Sequence, residues 1–265
     1  MALQRDPSGS SRFFGDNTSE YVDLLIGSGG ISSGGIFLLG GDDTLNGAIT
    51  NDLIFGNEGE DIIRGNFGND SLLGGKGKDL IGAGDGNDSI NGGQDADLLL
   101  AEGGNDILLG GKGNDLLASG NGNDTLVGGL GRDLLAGLDD NNSIKIGGSN
   151  LYVLQAEPGV RDVNNADFIG GFRPAFDKIG LADGLTVNDI VLENLPNVLI
   201  TVQFEVPQAA GSFVSPDQLK PTSIATSGTA IKLRNSGEFI GFVEAVTPAQ
   251  LQNSIQNSII SVQGF

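Results

Sequence analysis

The sequence has no cysteine, no histidine and no tryptophan, and it has only two tyrosines and one methionine. Without histidine and cysteine the chain lacks the usual general base, the usual zinc ligands and every disulfide or thiol mechanism. Basic residues are scarce too, because 14 lysines and arginines face 34 acidic residues and leave a net charge of −20. Such an acidic chain is not expected to bind nucleic acid or an anionic membrane surface.

Long hydrophobic runs are also missing. No stretch approaches the roughly 18 apolar residues of a membrane-spanning helix, so we expect no membrane insertion. The chain starts with MALQRDPSGSSRFF, which lacks the apolar segment of an ordinary secretory signal peptide. Because the chain has only two tyrosines, one methionine and no tryptophan, its core must be built from aliphatic side chains and phenylalanine.

The dominant feature of the sequence is a nine-residue repeat. Eleven aspartates follow this spacing without a break: Asp43, Asp52, Asp61, Asp70, Asp79, Asp88, Asp97, Asp106, Asp115, Asp124 and Asp133. An aliphatic residue lies two positions after each of them, and glycines are concentrated just before them. A fixed period predicts a short unit stacked on itself. A carboxylate in every unit indicates binding of hard cations, and we predict calcium.

The complete unit occurs as GGKGKD at residues 74–79 and as GGKGND at residues 110–115. Its glycines permit the positive φ values of a tight turn, and the three residues after the aspartate form a short strand with its middle side chain inward. Two units make a full coil of eighteen residues, so aspartates eighteen apart stack along one edge. The first edge carries Asp43, Asp61, Asp79, Asp97, Asp115 and Asp133, and the second carries Asp52, Asp70, Asp88, Asp106 and Asp124, continued by Asn142.

The pattern G-G-x-G-x-D-x-(aliphatic)-x resembles that of the repeats-in-toxin (RTX), or hemolysin-type, calcium-binding family, most strongly over residues 39–137. The resemblance implies an all-β fold, a parallel β-roll (a two-sheet solenoid of nonapeptide repeats) with calcium ions between successive turns on each edge. It also implies export by a type I secretion machinery that reads an uncleaved C-terminal signal, and hence a secreted, extracellular protein. If each ion lies between neighbouring turns of one edge, the aspartates define about nine Ca²⁺ sites.

Some features leave alternatives open. A glycine-rich disordered tract is the alternative to a folded repeat, although such a tract does not hold aspartate and aliphatic residues in two fixed registers over ~100 residues. Residues 47–52 lack the turn glycines, and Asp95 stands where a glycine belongs. Asparagine precedes every aspartate of the second edge, either as a surface for a partner or because asparagine accepts turn conformations.

Three regions are expected along the chain. Residues 1–18 form a flexible N-terminal tail, and residues 19–146 form the calcium-binding β-roll, in which 19–38 make a calcium-free N-terminal cap coil. Residues 147–265 form a β-rich C-terminal cap that carries the type I secretion signal. Within it we predict a hairpin around residues 235–237 and a short helix after Thr247, with Leu251, Ile255 and Ile259 on one face.

Outward-facing positions of the repeat carry two aliphatic stripes beside the first edge: Ile62, Leu80, Leu98, Leu116 and Leu134 on one sheet, and Phe55, Leu73, Leu109 and Val127 on the other. Together they form a larger apolar border than a soluble monomer normally exposes. We predict that the border is covered, either by the C-terminal region folding back or by a second copy of the chain in a homo-oligomer. The alternative is that long neighbouring side chains cover these residues and that β-propensity alone selected them.

The expected function is cooperative Ca²⁺ binding that drives folding outside the cell, with the protein acting as a surface-associated structural or adhesive component. One alternative is a secretion and folding module associated with an activity on another chain. Another is a weak hydrolase within residues 147–265. We expect no enzyme, because every carboxylate pair is explained by a turn and no nucleophile elbow or phosphate loop occurs.

Overall fold

The computed structural model describes residues 4–5, 13–24, 35–137, 148–202, 222–252 and 254–257. These residues are mostly β. The strands before and within the repeat are β1 (Gln4–Arg5), β2 (Phe13–Phe14), β3 (Tyr21–Asp23), β4 (Ile36–Phe37), β5 (Thr44–Asn46), β6 (Leu53–Glu58), β7 (Ile62–Phe67), β8 (Ser71–Lys76), β9 (Leu80–Asp85), β10 (Ser89–Gln94), β11 (Leu98–Gly103), β12 (Ile107–Lys112), β13 (Leu116–Ala118), β14 (Thr125–Leu130) and β15 (Leu134–Ala136). The later elements are β16 (Leu151–Leu154), a 3₁₀ turn (Val163–Asn165), β17 (Phe168–Gly170), β18 (Lys178–Leu181), β19 (Ile190–Val202), β20 (Thr222–Leu233), β21 (Phe239–Glu244), α1 (Pro248–Gln252) and β22 (Ile255–Asn257).

Two parallel sheets form a β-solenoid of about 6 turns, and an antiparallel strand region follows it. The first sheet has the order β1-β2-β4-β6-β8-β10-β12-β14-β16-β18-β22, and the second has the order β19-β20-β21-β17-β15-β13-β11-β9-β7-β5-β3. Strands alternate between the sheets, so each turn contributes one strand to each. The partners are in register, because Ile63 pairs with Leu45 on one side and with Ile81 on the other. The predicted two-sheet parallel β-roll is confirmed.

The core is the column of aliphatic residues that the repeat places two positions after each aspartate. All eleven are fully buried: Leu45, Ile54, Ile63, Leu72, Ile81, Ile90, Leu99, Leu108, Leu117, Leu126 and Leu135. Burial of each such side chain contributes about 1.5–3 kcal/mol. The core is therefore one side chain deep on each sheet and continuous along the roll.

The stack is longer than the nine-residue period predicted. At the N-terminal end β2, placed by sequence in the tail, pairs in parallel with β4. At the C-terminal end β16 stacks on β14, β17 on β15 and β18 on β16. The first part of the region assigned to the cap thus continues the roll.

Beyond the stack the strands become antiparallel. β19 and β20 form a long pair, and β20 and β21 form the hairpin predicted around residues 235–237. β21 also pairs in parallel with β17, so the antiparallel part extends the second sheet. Within the described parts of the chain, no helix has the length and apolar character needed to span a bilayer.

Helix α1 is shorter than predicted. Thr247 starts it, with the Thr247 N–H and hydroxyl donating to the Gln250 side-chain oxygen at 3.0 and 2.8 Å, and Leu251 is fully buried. The prediction that Ile255 continues this helix is wrong, because Ile255 lies in β22 and pairs with Ile179 of β18. Ile259 lies outside the described residues.

Candidate metal centre

The eleven repeat aspartates form two hydrogen-bonded ladders, one along each edge of the roll. Except for Asp124 and Asp133, the last aspartate of each edge, the backbone N–H of each aspartate donates to Oδ1 of the aspartate eighteen residues later. On the first edge these bonds are 2.8–2.9 Å long and join Asp43, Asp61, Asp79, Asp97, Asp115 and Asp133. On the second edge they are 2.7–3.1 Å long and join Asp52, Asp70, Asp88, Asp106 and Asp124. The structure thus brings the predicted residues together edge by edge.

Every ladder aspartate is buried, the most accessible being Asp52 with 4% of its surface exposed. The ladder bond occupies only one carboxylate oxygen. The other oxygen has no hydrogen-bond partner in Asp43, Asp61, Asp70, Asp79, Asp88, Asp97, Asp115 and Asp133. Buried polar atoms are normally paired, and an unpaired one calls for an explanation such as a bound ion. Its recurrence turn after turn indicates that the partner of these oxygens is a cation.

From Asp61 to Asp133 on the first edge, a glycine five residues before the aspartate keeps open the space around its second oxygen. A methyl group at Gly56 would clash with Asp61 Oδ2 and would lie 2.5 Å from the Gly74 carbonyl oxygen of the next turn. A carboxylate oxygen and a backbone carbonyl therefore face the same point. On the second edge Ala83, Ala101 and Ser119 take the corresponding place before Asp88, Asp106 and Asp124, so this space is smaller in those turns.

Two turns that depart from the repeat pattern still form. Asp95 adopts a φ of 74°, in the left-handed region that Gly77 occupies at 112° in the preceding coil. Asp52, in the turn without glycines at the usual places, is buried, and its Oδ2 accepts a bond of 2.6 Å from the Ala48 N–H. Neither substitution removes an aspartate from its ladder.

Burial raises the pKa above the ordinary value of 3.8 in the ladder carboxyls of Asp43, Asp52, Asp61, Asp70, Asp79, Asp88, Asp97, Asp115 and Asp133. Desolvation is the largest cause, and the hydrogen bond from the neighbouring backbone N–H acts against it. The pKa is raised to about 6 for Asp61, to about 7 for Asp43, Asp70 and Asp115, to about 8 for Asp79 and to about 9 for Asp97. Charged carboxylates at neutral pH thus require a positive partner.

The donor set fits calcium. Ca²⁺ takes six to eight oxygen ligands in flexible geometry, whereas Mg²⁺ demands near-octahedral coordination. Nowhere among the described residues do three or more acidic side chains gather as a group that would hold a metal. Backbone carbonyls such as that of Gly74 would therefore complete the coordination of each ion.

The first-edge ladder extends beyond the predicted aspartates at both ends. The Glu20 N–H donates to Asp43 Oδ1 at 2.6 Å, and the Asp133 N–H donates to Asp167 Oδ1 at 3.1 Å. Asp43 and Asp133, the first and last aspartates predicted for this edge, are therefore not the ends of its ladder. Glu20-Tyr21-Val22 and Asp167-Phe168-Ile169 both carry the acidic-x-aliphatic signature of the repeat, but their spacings of 23 and 34 residues place them outside its period.

The second-edge ladder ends differently. The Asp124 N–H donates to Asn150 Oδ1 at 3.2 Å, and Asn142, the residue expected to continue this ladder, lies outside the described residues. Asp177 comes next, accepting from the Asn150 N–H at 3.0 Å and pairing with the Arg173 guanidinium at 2.9 Å. A neutral amide and an internal ion pair thus close this ladder.

The asparagines that precede the second-edge aspartates form a column along the roll, here called the asparagine column, and this column has a structural role. The side-chain oxygens of Asn51, Asn69, Asn87 and Asn105 each accept the backbone N–H of the next asparagine in the column, at 2.8–2.9 Å. Ser149 continues the column by donating to Asn123 at 2.7 Å. The asparagine side chains thus join successive turns by accepting backbone hydrogen bonds.

The predicted apolar border is largely buried. Ile62, Leu80 and Leu98 are 0–4% exposed, and Leu109 and Val127 are also buried. The other stripe residues are half-buried. Ile62, Leu80 and Leu98 pack against one another and against Leu100 and Leu116 of the same sheet, and Leu109 and Val127 pack with Val153 and Ala182. Neighbouring side chains of the roll thus account for the burial of these five residues, which matches the alternative to a folded-back C-terminal region or a second copy. A second copy against the half-buried remainder stays a prediction.

A parallel roll with a ladder of buried, half-paired carboxylates on each edge defines a calcium-binding repeat architecture. The family described as the RTX calcium-binding nonapeptide repeat (4 copies) matches residues 38–72, 46–81, 55–90, 82–117 and 118–148. Residues 38–148 are therefore RTX calcium-binding nonapeptide repeats, as the sequence resemblance indicated. The curated proteins gave no match to the chain.

Proposed function

We propose that this chain is a secreted calcium-binding protein whose repeat region folds when it binds Ca²⁺ cooperatively outside the cell. The observation that carries the proposal is the buried carboxylate with one oxygen bonded to the neighbouring turn and one oxygen free for a cation. An ion that orders one aspartate also orders the N–H of the preceding turn. Each binding event therefore prepares the next site, which is the physical basis of cooperativity.

Charge supports the same proposal. Residues 38–146 contain 19 acidic and 6 basic side chains, a net charge of −13 on one slender element. About nine Ca²⁺ ions would reverse the sign of this charge. Stacked carboxylates without counter-ions repel one another at the low effective dielectric of a buried edge. Folding is thus expected at the ~10⁻⁴–10⁻³ M calcium typical of extracellular modules and not at cytosolic concentrations.

A calcium titration of the metal-stripped protein tests the proposal. Calorimetry should show sigmoidal binding of about nine ions, and far-UV circular dichroism should gain β signal over the same range, because binding and folding are one process. Magnesium at equal concentration should give little of either signal. Binding of one or two ions to a chain that is already folded would contradict the proposal.

We propose further that the folded protein is a surface-associated structural or adhesive component without catalytic activity, exported by a type I machinery. The rigid repetition of the roll and the use of its carboxylates in the ladders support a structural role. Cell fractionation tests this proposal, with the protein expected in the surface fraction and released by chelation. A protein found wholly in the medium, in complex with a separate enzyme, would favour a folding module that serves an activity on another chain.

A further inference from the structure

The N-terminal turn contains a buried carboxylate that the repeat does not account for. Glu20 is 7% exposed, and its Oε1 accepts the Asp16 N–H at 2.8 Å. Its Oε2 is buried and has no hydrogen-bond partner. Among the described residues, none of the ion pairs involves Glu20. Leaving a buried acidic oxygen unsatisfied is costly, so this position requires an explanation of its own.

The surroundings of this oxygen reproduce those of the repeat sites. Gly15 lies five residues before Glu20, as Gly56 lies five before Asp61. A methyl group at Gly15 would clash with Glu20 Oε2 and would lie 2.6 Å from the Leu38 carbonyl oxygen of the next turn. The same three elements recur: an acidic oxygen, a carbonyl of the following turn and a glycine that leaves room between them.

The ladder bond recurs as well. The Glu20 N–H donates to Asp43 Oδ1 at 2.6 Å, as each repeat aspartate does to the next. Tyr21 and Val22 then pair with Thr44 and Leu45 in the second sheet. Glu20 is thus a full member of the first-edge ladder although it precedes Asp43 by 23 residues and lies outside residues 38–148.

We propose that Glu20 holds an additional Ca²⁺ ion in the N-terminal turn, with Glu20 Oε2 and the Leu38 carbonyl as two of its oxygen ligands. The proposal rests on the proposed function of the repeat and adds one ion to those of the aspartate ladders. The turn expected to be a calcium-free cap is then a metal-closed first coil. The ion offsets the charge of Glu20 and joins the segment before the repeat to the roll.

The test compares Glu20→Gln with Glu58→Gln in the full chain. Both variants replace one carboxylate by an amide, but Glu58 is exposed and only pairs with Lys76 on the surface, which contributes little to stability. Ions per chain are counted by equilibrium dialysis at saturating calcium, and hydrogen exchange is followed in peptides that cover residues 13–24. We expect Glu20→Gln to bind one ion fewer than Glu58→Gln and to exchange faster in that segment alone.

A second pair of variants guards against misfolding of Glu20→Gln. Gly15→Ala places a methyl group between Glu20 Oε2 and the Leu38 carbonyl, whereas the methyl group of Gly40→Ala in the same region meets its nearest atoms at an ordinary 3.6–3.9 Å. Gly15→Ala should lose one ion and Gly40→Ala none. A full complement of ions in Glu20→Gln or in Gly15→Ala would overturn the proposal. A wild-type chain that binds no calcium would instead overturn the proposed function.

Discussion

Protons should partly replace calcium in this protein. Ladder carboxyls such as those of Asp61, Asp79 and Asp97 are buried with one oxygen unpaired. A calcium-free chain at about pH 8 must therefore either ionise them without counter-ions or unfold. Lowering the pH removes that conflict, because a protonated carboxyl is far cheaper to bury than a charged one. We expect the metal-stripped protein to be unfolded in its repeat region at about pH 8 and to regain β structure at about pH 5.

The size of the effect follows from the raised pKa values. The pKa of Asp61 is raised from 3.8 to about 6, and holding this carboxyl ionised in the folded chain costs roughly 3 kcal/mol. The pKa values of Asp43, Asp70, Asp79, Asp97 and Asp115 are raised to between about 7 and about 9. The free energy needed to hold all six carboxyls ionised in the folded chain therefore exceeds the ~5–15 kcal/mol by which a typical domain is stable.

The sign of the pH dependence is fixed by the direction of these shifts. Because the pKa of each carboxyl is higher in the folded chain than in the unfolded chain, the folded state binds more protons. The stability of the calcium-free fold is therefore greatest below the unfolded pKa of 3.8, and it is lost as the pH rises through about 6 to 9. These six carboxyls together destabilise the calcium-free fold at about pH 5 by about a third of the free energy by which they destabilise it at about pH 8.

Far-UV circular dichroism of the metal-stripped chain between about pH 5 and pH 8 measures this effect. Calcium-loaded protein is the control, and it should show the opposite trend, weakening as protons compete for its carboxylates. Measurements stay above the sequence pI of about 4.1, where loss of net charge promotes association. A β spectrum at about pH 8 that is unchanged by stripping and chelation would refute the reasoning.

Three further predictions concern single side chains. Asp79→Ala and Asp43→Ala should each weaken two adjoining calcium sites, because both carboxylates have ladder neighbours on both sides. Asp52→Ala should weaken only one site. Equal losses of bound calcium in the three variants, measured by dialysis, would contradict this sharing of sites. Leu99 is fully buried, so Leu99→Ala should lower the unfolding free energy of the calcium-bound protein by about 2–5 kcal/mol. Leu130 is 48% exposed, so Leu130→Ala should lower it by less than about 0.5 kcal/mol. Both values are measured by urea unfolding. Asn87→Ala should cost about 1 kcal/mol by removing an acceptor of the asparagine column, with calcium stoichiometry unchanged; a lost ion would show that the column belongs to the metal sites.

The sequence alone determined the repeating part of this protein. A nine-residue period with one carboxylate and one aliphatic residue in constant register specifies which side chains point inward and which stack at an edge, because both properties depend only on local spacing. For this reason the spacing predicts the two ladders, the column from Leu45 to Leu135 and the parallel sheets. Even the exceptional Asp95 was placed at the position that requires a positive φ.

Tertiary structure alone decided what lies at the ends. Glu20, Asn150, Asp167 and Asp177 join the ladders across insertions of unequal length, and only the stacking of one turn on the next shows which residue comes into register. The same holds for Ile255, whose apolar spacing suits a helix but which forms a strand because the edge of β18 is there to pair with it. The nine-residue period gives no information beyond the last repeat. The open end of the roll exposes an unpaired strand edge and apolar core, and the residues that follow the repeat must cover both.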